Sequence, residues 1–130
     1  MTWNRPLGMW LMLYNCARVG APSIEARIAP APWGPWSQPT LLLSHADDLG
    51  CRLWMAPDGC GKRRSFFPKK PDGKFQSGLY APYVMNRYTR PAVGPGRRAA
   101  IYWLLSTWNP YEVTVMRTTL QAGGSGSRDR

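Results

Sequence analysis

Three cysteines, Cys16, Cys51 and Cys60, and a single histidine, His45, are the residues of this 130-residue chain that could ligate a metal or supply a nucleophile. A structural zinc site takes four ligands at close pairwise spacings, and one histidine with three scattered cysteines offers no such pairing. A Cys–His nucleophilic pair through His45 finds no supporting residues in the sequence around it. Cys51 and Cys60 flank the turn Pro57-Asp58-Gly59 and could bridge a hairpin in an oxidising compartment. Cys16 would then be free and buried at a strand end. No metal and no cofactor are expected.

The second chemistry is electrostatic. The net charge is +10, and 13 of the 17 basic residues are arginine. They gather in Lys62-Arg63-Arg64, Lys69-Lys70, Lys74, Arg87, Arg90, Arg97-Arg98 and the terminal Arg128 and Arg130. Such a balance permits contacts to phosphate or to an anionic surface, and Arg64-Ser65-Phe66-Phe67 interleaves rings that could stack on bases. The basic residues nevertheless fall in Gly/Pro loops rather than along one periodic face, and no nucleic-acid module is spelled out. Solvated loops are the preferred reading over a nucleic-acid interface.

The elements that position these residues are strands. Gly and Pro, 13 each, make up a fifth of the chain beside seven Trp and six Tyr, a composition of short strands and turns. The length fits one domain, and no apolar run of 18 residues is present for a membrane-spanning helix. The N-terminal apolar patch is only about seven residues long and lacks an evident cleavage site, so no export signal is read there. Ile101–Leu120 predicts two strands joined at Trp108-Asn109-Pro110-Tyr111. Ile101, Trp103 and Leu105 would share one face, and Tyr102, Leu104 and Ser106 the other. Val113 and Val115 oppose Glu112, Thr114 and Met116 in the returning strand. Pro110 pushes Asn109 out of the helical region and favours the corner. Further strands are predicted at Met9–Asn15, Ser23–Ile28, Thr40–Leu43, Cys51–Met55 and Tyr80–Arg87. In the second of these, Glu25 and Arg27 form a polar face. Ala29–Pro39 reads as a rigid turn in which prolines fix Trp33 and Trp36 for packing, and residues 44–74 as a long loop. Residues 121–130 have the composition of a flexible tail, which leaves 1–120 as the folded unit.

Four ordered segments carry a resemblance: WNRPLGMWLMLYNC, IEARIAPAPWGPWSQPTLL, GLYAPYVMNRYT and YWLLSTWNPYEVTVMRTTL. Together they resemble the C-terminal part of the domain-of-unknown-function family 4185. The shared signals are a Trp-Asn…Leu-Gly-x-Trp strand, an Ala-x-x-Pro-Trp-Gly-Pro-Trp-Ser turn, a Gly-x-Tyr-(Gly/Ala)-Pro-Tyr strand and a closing Ser-Thr-Trp-Asn-Pro-Tyr. The resemblance implies a five-bladed β-propeller similar to glycoside hydrolases, including endo-D-arabinanases of cell-wall arabinan. The chain has material for about two blades, so the expected fold class is all-β, a partial β-propeller with long Pro/Gly-rich loops. A truncated gene product or a mis-set start is expected, with an exported parent at the cell envelope. Two blades alone would leave open strand edges and invite self-association.

Glycoside hydrolysis takes two carboxylates flanking the bond. This chain has seven carboxylates, Glu25, Asp47, Asp48, Asp58, Asp72, Glu112 and Asp129. The adjacent Asp47 and Asp48 would point to opposite faces of a strand. Glu25 and Glu112 read as salt-bridged or solvent-facing. A complete active site is therefore not expected, and the catalytic residues stay unassigned. What the resemblance leaves is a polysaccharide-binding surface, in which rings stack on sugar faces and Asn and Tyr orient hydroxyls. Tyr80, Tyr83, Trp108, Asn109 and Tyr111 are its candidates. Against that, Trp108 and Tyr111 could cap the hairpin and pack between blades, with Asn109 bonding its own turn. The partner is then a polysaccharide such as arabinan or the missing blades, through a non-catalytic binding or assembly module.

Overall fold

The computed structural model describes residues 1–18, 21–44, 78–108 and 111–123. The expected strand Cys51–Met55, the Cys51–Cys60 bridge, His45 and the basic residues 62–74 lie outside the described residues.

The first sheet is an antiparallel meander. It runs β1 (Thr2–Asn4), β2 (Met9–Arg18), β3 (Ala21–Ala29) and β4 (Thr40–Ser44), each paired with the next. β1 is too short to give a periodic signal and was not predicted. Its turn is closed by Gly8 N–H donating to the Asn4 carbonyl at 2.9 Å, with Gly8 at φ 61°. Buried Asn4 accepts from the Leu7 amide at 3.2 Å, and that contact tucks the fully buried Leu7 into the core.

The Pro-rich segment after β3 departs from expectation. Gly34 N–H donates to the Ala31 carbonyl at 3.0 Å, which puts Pro32 and Trp33 at the corner of a turn. The Trp33 side chain consequently projects outward and is 86% exposed, whereas packing had been expected. Trp36 does pack, with its ring against Gly34 where a Cβ would crowd it. Ser37 then lies along β3, its amide donating to the Ile28 carbonyl at 2.9 Å and its Oγ accepting from the Ile28 amide at 3.1 Å.

The second sheet contains β5 (Gly78–Val84), β6 (Arg90–Pro91), β7 (Arg98–Trp108) and β8 (Glu112–Gln121), again antiparallel. β5 pairs with Trp103–Trp108 and β6 with Ala99 and Ala100, so the two lie in tandem on one edge of β7. β8 occupies the other edge over ten consecutive pairs. A strand had been expected as far as Arg87. The chain instead leaves β5 at Val84 and makes a 3-10 turn at Asn86–Tyr88, closed by Thr89 N–H on the Asn86 carbonyl at 3.1 Å. The hairpin β7–β8 and its two faces are as predicted. β8 runs one residue past the expected start of the tail, and Ala122 N–H bonds the Arg97 carbonyl at 2.9 Å.

Both sheets feed one core. Leu7, Leu11, Ile24, Ala26 and Leu43 of the first meet Leu79, Ala99, Ile101, Trp103, Leu105 and Leu120 of the second. Trp103 is fully buried, and its Nε1–H still finds Thr118 Oγ1 at 3.1 Å. Among the described residues, polar links stitch the sheets together: Asn15 Nδ2 to the Leu79 carbonyl at 3.2 Å and Asn86 Nδ2 to the Trp3 carbonyl at 2.8 Å. The architecture is thus all-β, with neither sheet closed into a barrel.

Candidate functional site

The geometry of the site starts with one extra residue. Tyr80 and Tyr83 are three apart, an odd spacing that would put their side chains on opposite faces of a regular strand. In β5 the register steps from Tyr80 opposite Ser106 to Tyr83 opposite Leu104, three residues against two. The inserted residue is a β-bulge, and it turns both tyrosines to the same face. Ala81 supplies the bend at φ 47°, a left-handed conformation that L-residues with a Cβ adopt at a cost. Tyr80 is 37% exposed and Tyr83 65% exposed.

That face continues across the sheet. Leu104 lies opposite Val115, Ser106 opposite Val113 and Tyr102 opposite Arg117. Val113 and Val115 are 65% and 60% exposed, although Ile101, Trp103 and Leu105 on the opposite face of the same sheet are sealed. Tyr111, 61% exposed, precedes Val113 by two residues at the end of the face where Tyr80 sits. Trp108 takes its place in β7 opposite Gly78, while Asn109 lies outside the described residues. The structure therefore brings Tyr80 and Tyr83 together and sets Tyr111 at the end of their face.

The outward face of the first sheet is of another kind. Trp3 meets Trp10 edge-on at 5.9 Å between ring centroids. Further along, the Tyr14 hydroxyl donates to Glu25 Oε2 at 2.8 Å and accepts from Arg27 Nε at 3.1 Å. Arg27 also donates to the Ser37 carbonyl at 3.3 Å. Glu25, expected to be salt-bridged or solvent-facing, is not open to solvent: it is 2% exposed. The reason is its cross-strand partner, since Glu25 lies opposite Tyr14 and receives its proton donor there. Burial pushes the Tyr14 hydroxyl above its ordinary value of 10.0; Glu25 pushes it the same way and the Arg27 bond opposes. Tyr14 stays a neutral donor. This cluster was missed in the sequence, where the only signal was Glu25 and Arg27 sharing a strand face.

Among the described residues, the two carboxylates form no acid–base pair. Glu25 sits on the first sheet, and Glu112 lies on the second opposite buried Thr107, so neither joins the tyrosine face. The five aspartates lie outside the described residues. Among the described residues, no group of three or more potential metal ligands occurs, and no helix is long and apolar enough to cross a membrane. Cys16 is a free thiol, half-buried on β2.

The chain matches the family model described as Domain of unknown function (DUF4185) over residues 1–117. It belongs to that family. The match runs from β1 into β8 and ends at Arg117, so the DUF4185 region takes in the tyrosine face, the Tyr14–Glu25 cluster and the shared core apart from Leu120. No curated protein and no solved structure matches the chain.

Proposed function

We propose that this DUF4185 chain forms sheets of a carbohydrate-active, glycoside hydrolase-like β-propeller and holds a polysaccharide of the arabinan class across Tyr80 and Tyr83. The chain does not complete a catalytic pair by itself. The observation that carries the reading is the bulge at Ala81, which spends backbone strain to put two exposed tyrosines on one face. Rings at that spacing stack on the apolar faces of sugars, and their hydroxyls reach the sugar hydroxyls.

Affinity electrophoresis through arabinan-containing gels tests it. The wild-type chain is retarded, and Tyr80→Ala with Tyr83→Ala migrates as in a polymer-free gel. Equal retardation of wild type and double variant would contradict the reading.

Val113 and Val115 favour a second reading for the same face, that of an assembly surface. Two exposed β-branched residues beside Leu104 make an apolar strip that a further sheet could cover. Light scattering decides this one: a monomer up to high concentration removes self-association, and a Val115→Thr variant that dissociates a wild-type oligomer supports it.

A further inference from the structure

We propose that the far end of the open face is an oxyanion-binding cleft built by Arg90, Arg98 and Arg117. Strand register brings these three residues, from β6, β7 and β8, to one cleft. Arg90 on β6 lies opposite Ala100. Arg98 and Tyr102 flank Ala100 at two residues on either side of β7, so all three share one face. Arg117 on β8 lies opposite Tyr102, and Thr119 opposite Ala100. The result is a cleft of about 470 Å³ lined by the three guanidinium groups with Tyr102, Thr119 and Val93.

Arg90 and Arg98 are anchored on backbone carbonyls. Arg98 Nη1 donates to the Val93 carbonyl at 3.1 Å, and its guanidinium packs on Gly94, where a Cβ would collide with it. Gly94 has φ 127°, so the close approach and the backbone both require glycine. Arg98 Nε is buried and has no hydrogen-bond partner among the described residues. A buried donor without an acceptor is costly. Arg90 Nη1 is anchored on the Arg87 and Thr89 carbonyls at 2.8 and 2.9 Å, which leaves its other nitrogens for a ligand. Among the described residues no carboxylate lines the cleft. Guanidinium forks bind phosphate and carboxylate oxygens in pairs, and the Tyr102 and Thr119 hydroxyls add single donors. The ligand class is therefore a phosphate or carboxylate group, and this holds whatever covers the tyrosine face.

The test is titration of the full chain at constant ionic strength, followed by amide NMR shifts. One arm uses inorganic phosphate and the other galacturonate, which tells the phosphate source from the carboxylate source. At least one anion gives saturable shifts at Arg98, Tyr102 and Arg117. Arg117→Gln weakens that binding about tenfold, the loss of one charge-assisted contact. Gly94→Ala weakens it comparably by displacing Arg98. Arg5→Gln, which removes the same charge from the β1–β2 turn, leaves it unchanged. Absence of saturation with both anions would overturn the proposal. So would equal weakening by Arg117→Gln and Arg5→Gln, which would reduce the effect to net charge. Should Gly94→Ala fail to fold, Arg117→Gln, on an exposed position, decides alone.

Discussion

The two sheets give their inward faces to the same core and do opposite things with their outward ones. On the first sheet, Tyr14, Glu25 and Arg27 satisfy one another in a hydrogen-bonded row, and Glu25 is shut away from solvent. On the second, Tyr80, Tyr83, Val113 and Val115 stand in the open beside three arginines. A polar cluster is buried on one sheet, and among the described residues an apolar, basic face stays exposed on the other, the reverse of what solvation alone would choose. The contrast is the ground for the proposal that recognition belongs to the second sheet and structure to the first.

The contrast can be broken at its shared base. Trp103→Ala removes the largest side chain common to both sheets and should cost about 3–5 kcal/mol in urea unfolding. If the sheets are one cooperative unit, hydrogen exchange accelerates in β2 and β3 as much as in β7 and β8. Exchange confined to the second sheet would separate them. The closed face is probed next by Tyr14→Phe, which removes one hydrogen bond to buried Glu25 at a cost of about 1–3 kcal/mol. Because the folded hydroxyl is raised above 10.0, its contribution is whole below that pH and is lost as pH rises through the raised value. The wild-type advantage over Tyr14→Phe should therefore shrink in alkaline melts; a constant difference would mean that Tyr14 is not shielded. The smallest effect belongs to the open face. Ala81→Gly relieves the left-handed residue and, after glycine's own chain-entropy cost, should gain about 0.5–1 kcal/mol with arabinan retention unchanged. A destabilised variant would show that the bulge is not strained.

Much of the scaffold was legible in the sequence. The β7–β8 hairpin sets an apolar run against an alternating one, and its two faces follow from parity alone. β1, with three residues, has no period to read. Trp33 was misplaced because prolines fix the shape of a turn but not the direction in which its corner points. Tyr80 and Tyr83 could be named from their motif, yet their common face depends on a bulge that exists only relative to β7. Burial of Glu25 likewise comes from Tyr14 across the strand pair. The arginine cleft is illegible for the same reason: residues 90, 98 and 117 meet only through register. Alternation tells which residues share a face, and pairing decides what that face becomes.

The measurement that bears most directly on the division between the two faces is a titration of tyrosine-ring-labelled protein with arabinan oligosaccharides, read by NMR. The rings of Tyr80 and Tyr83 should shift progressively while that of Tyr14 stays fixed. A shift at Tyr14 with Tyr80 and Tyr83 unmoved would contradict the assignment of recognition to the second sheet.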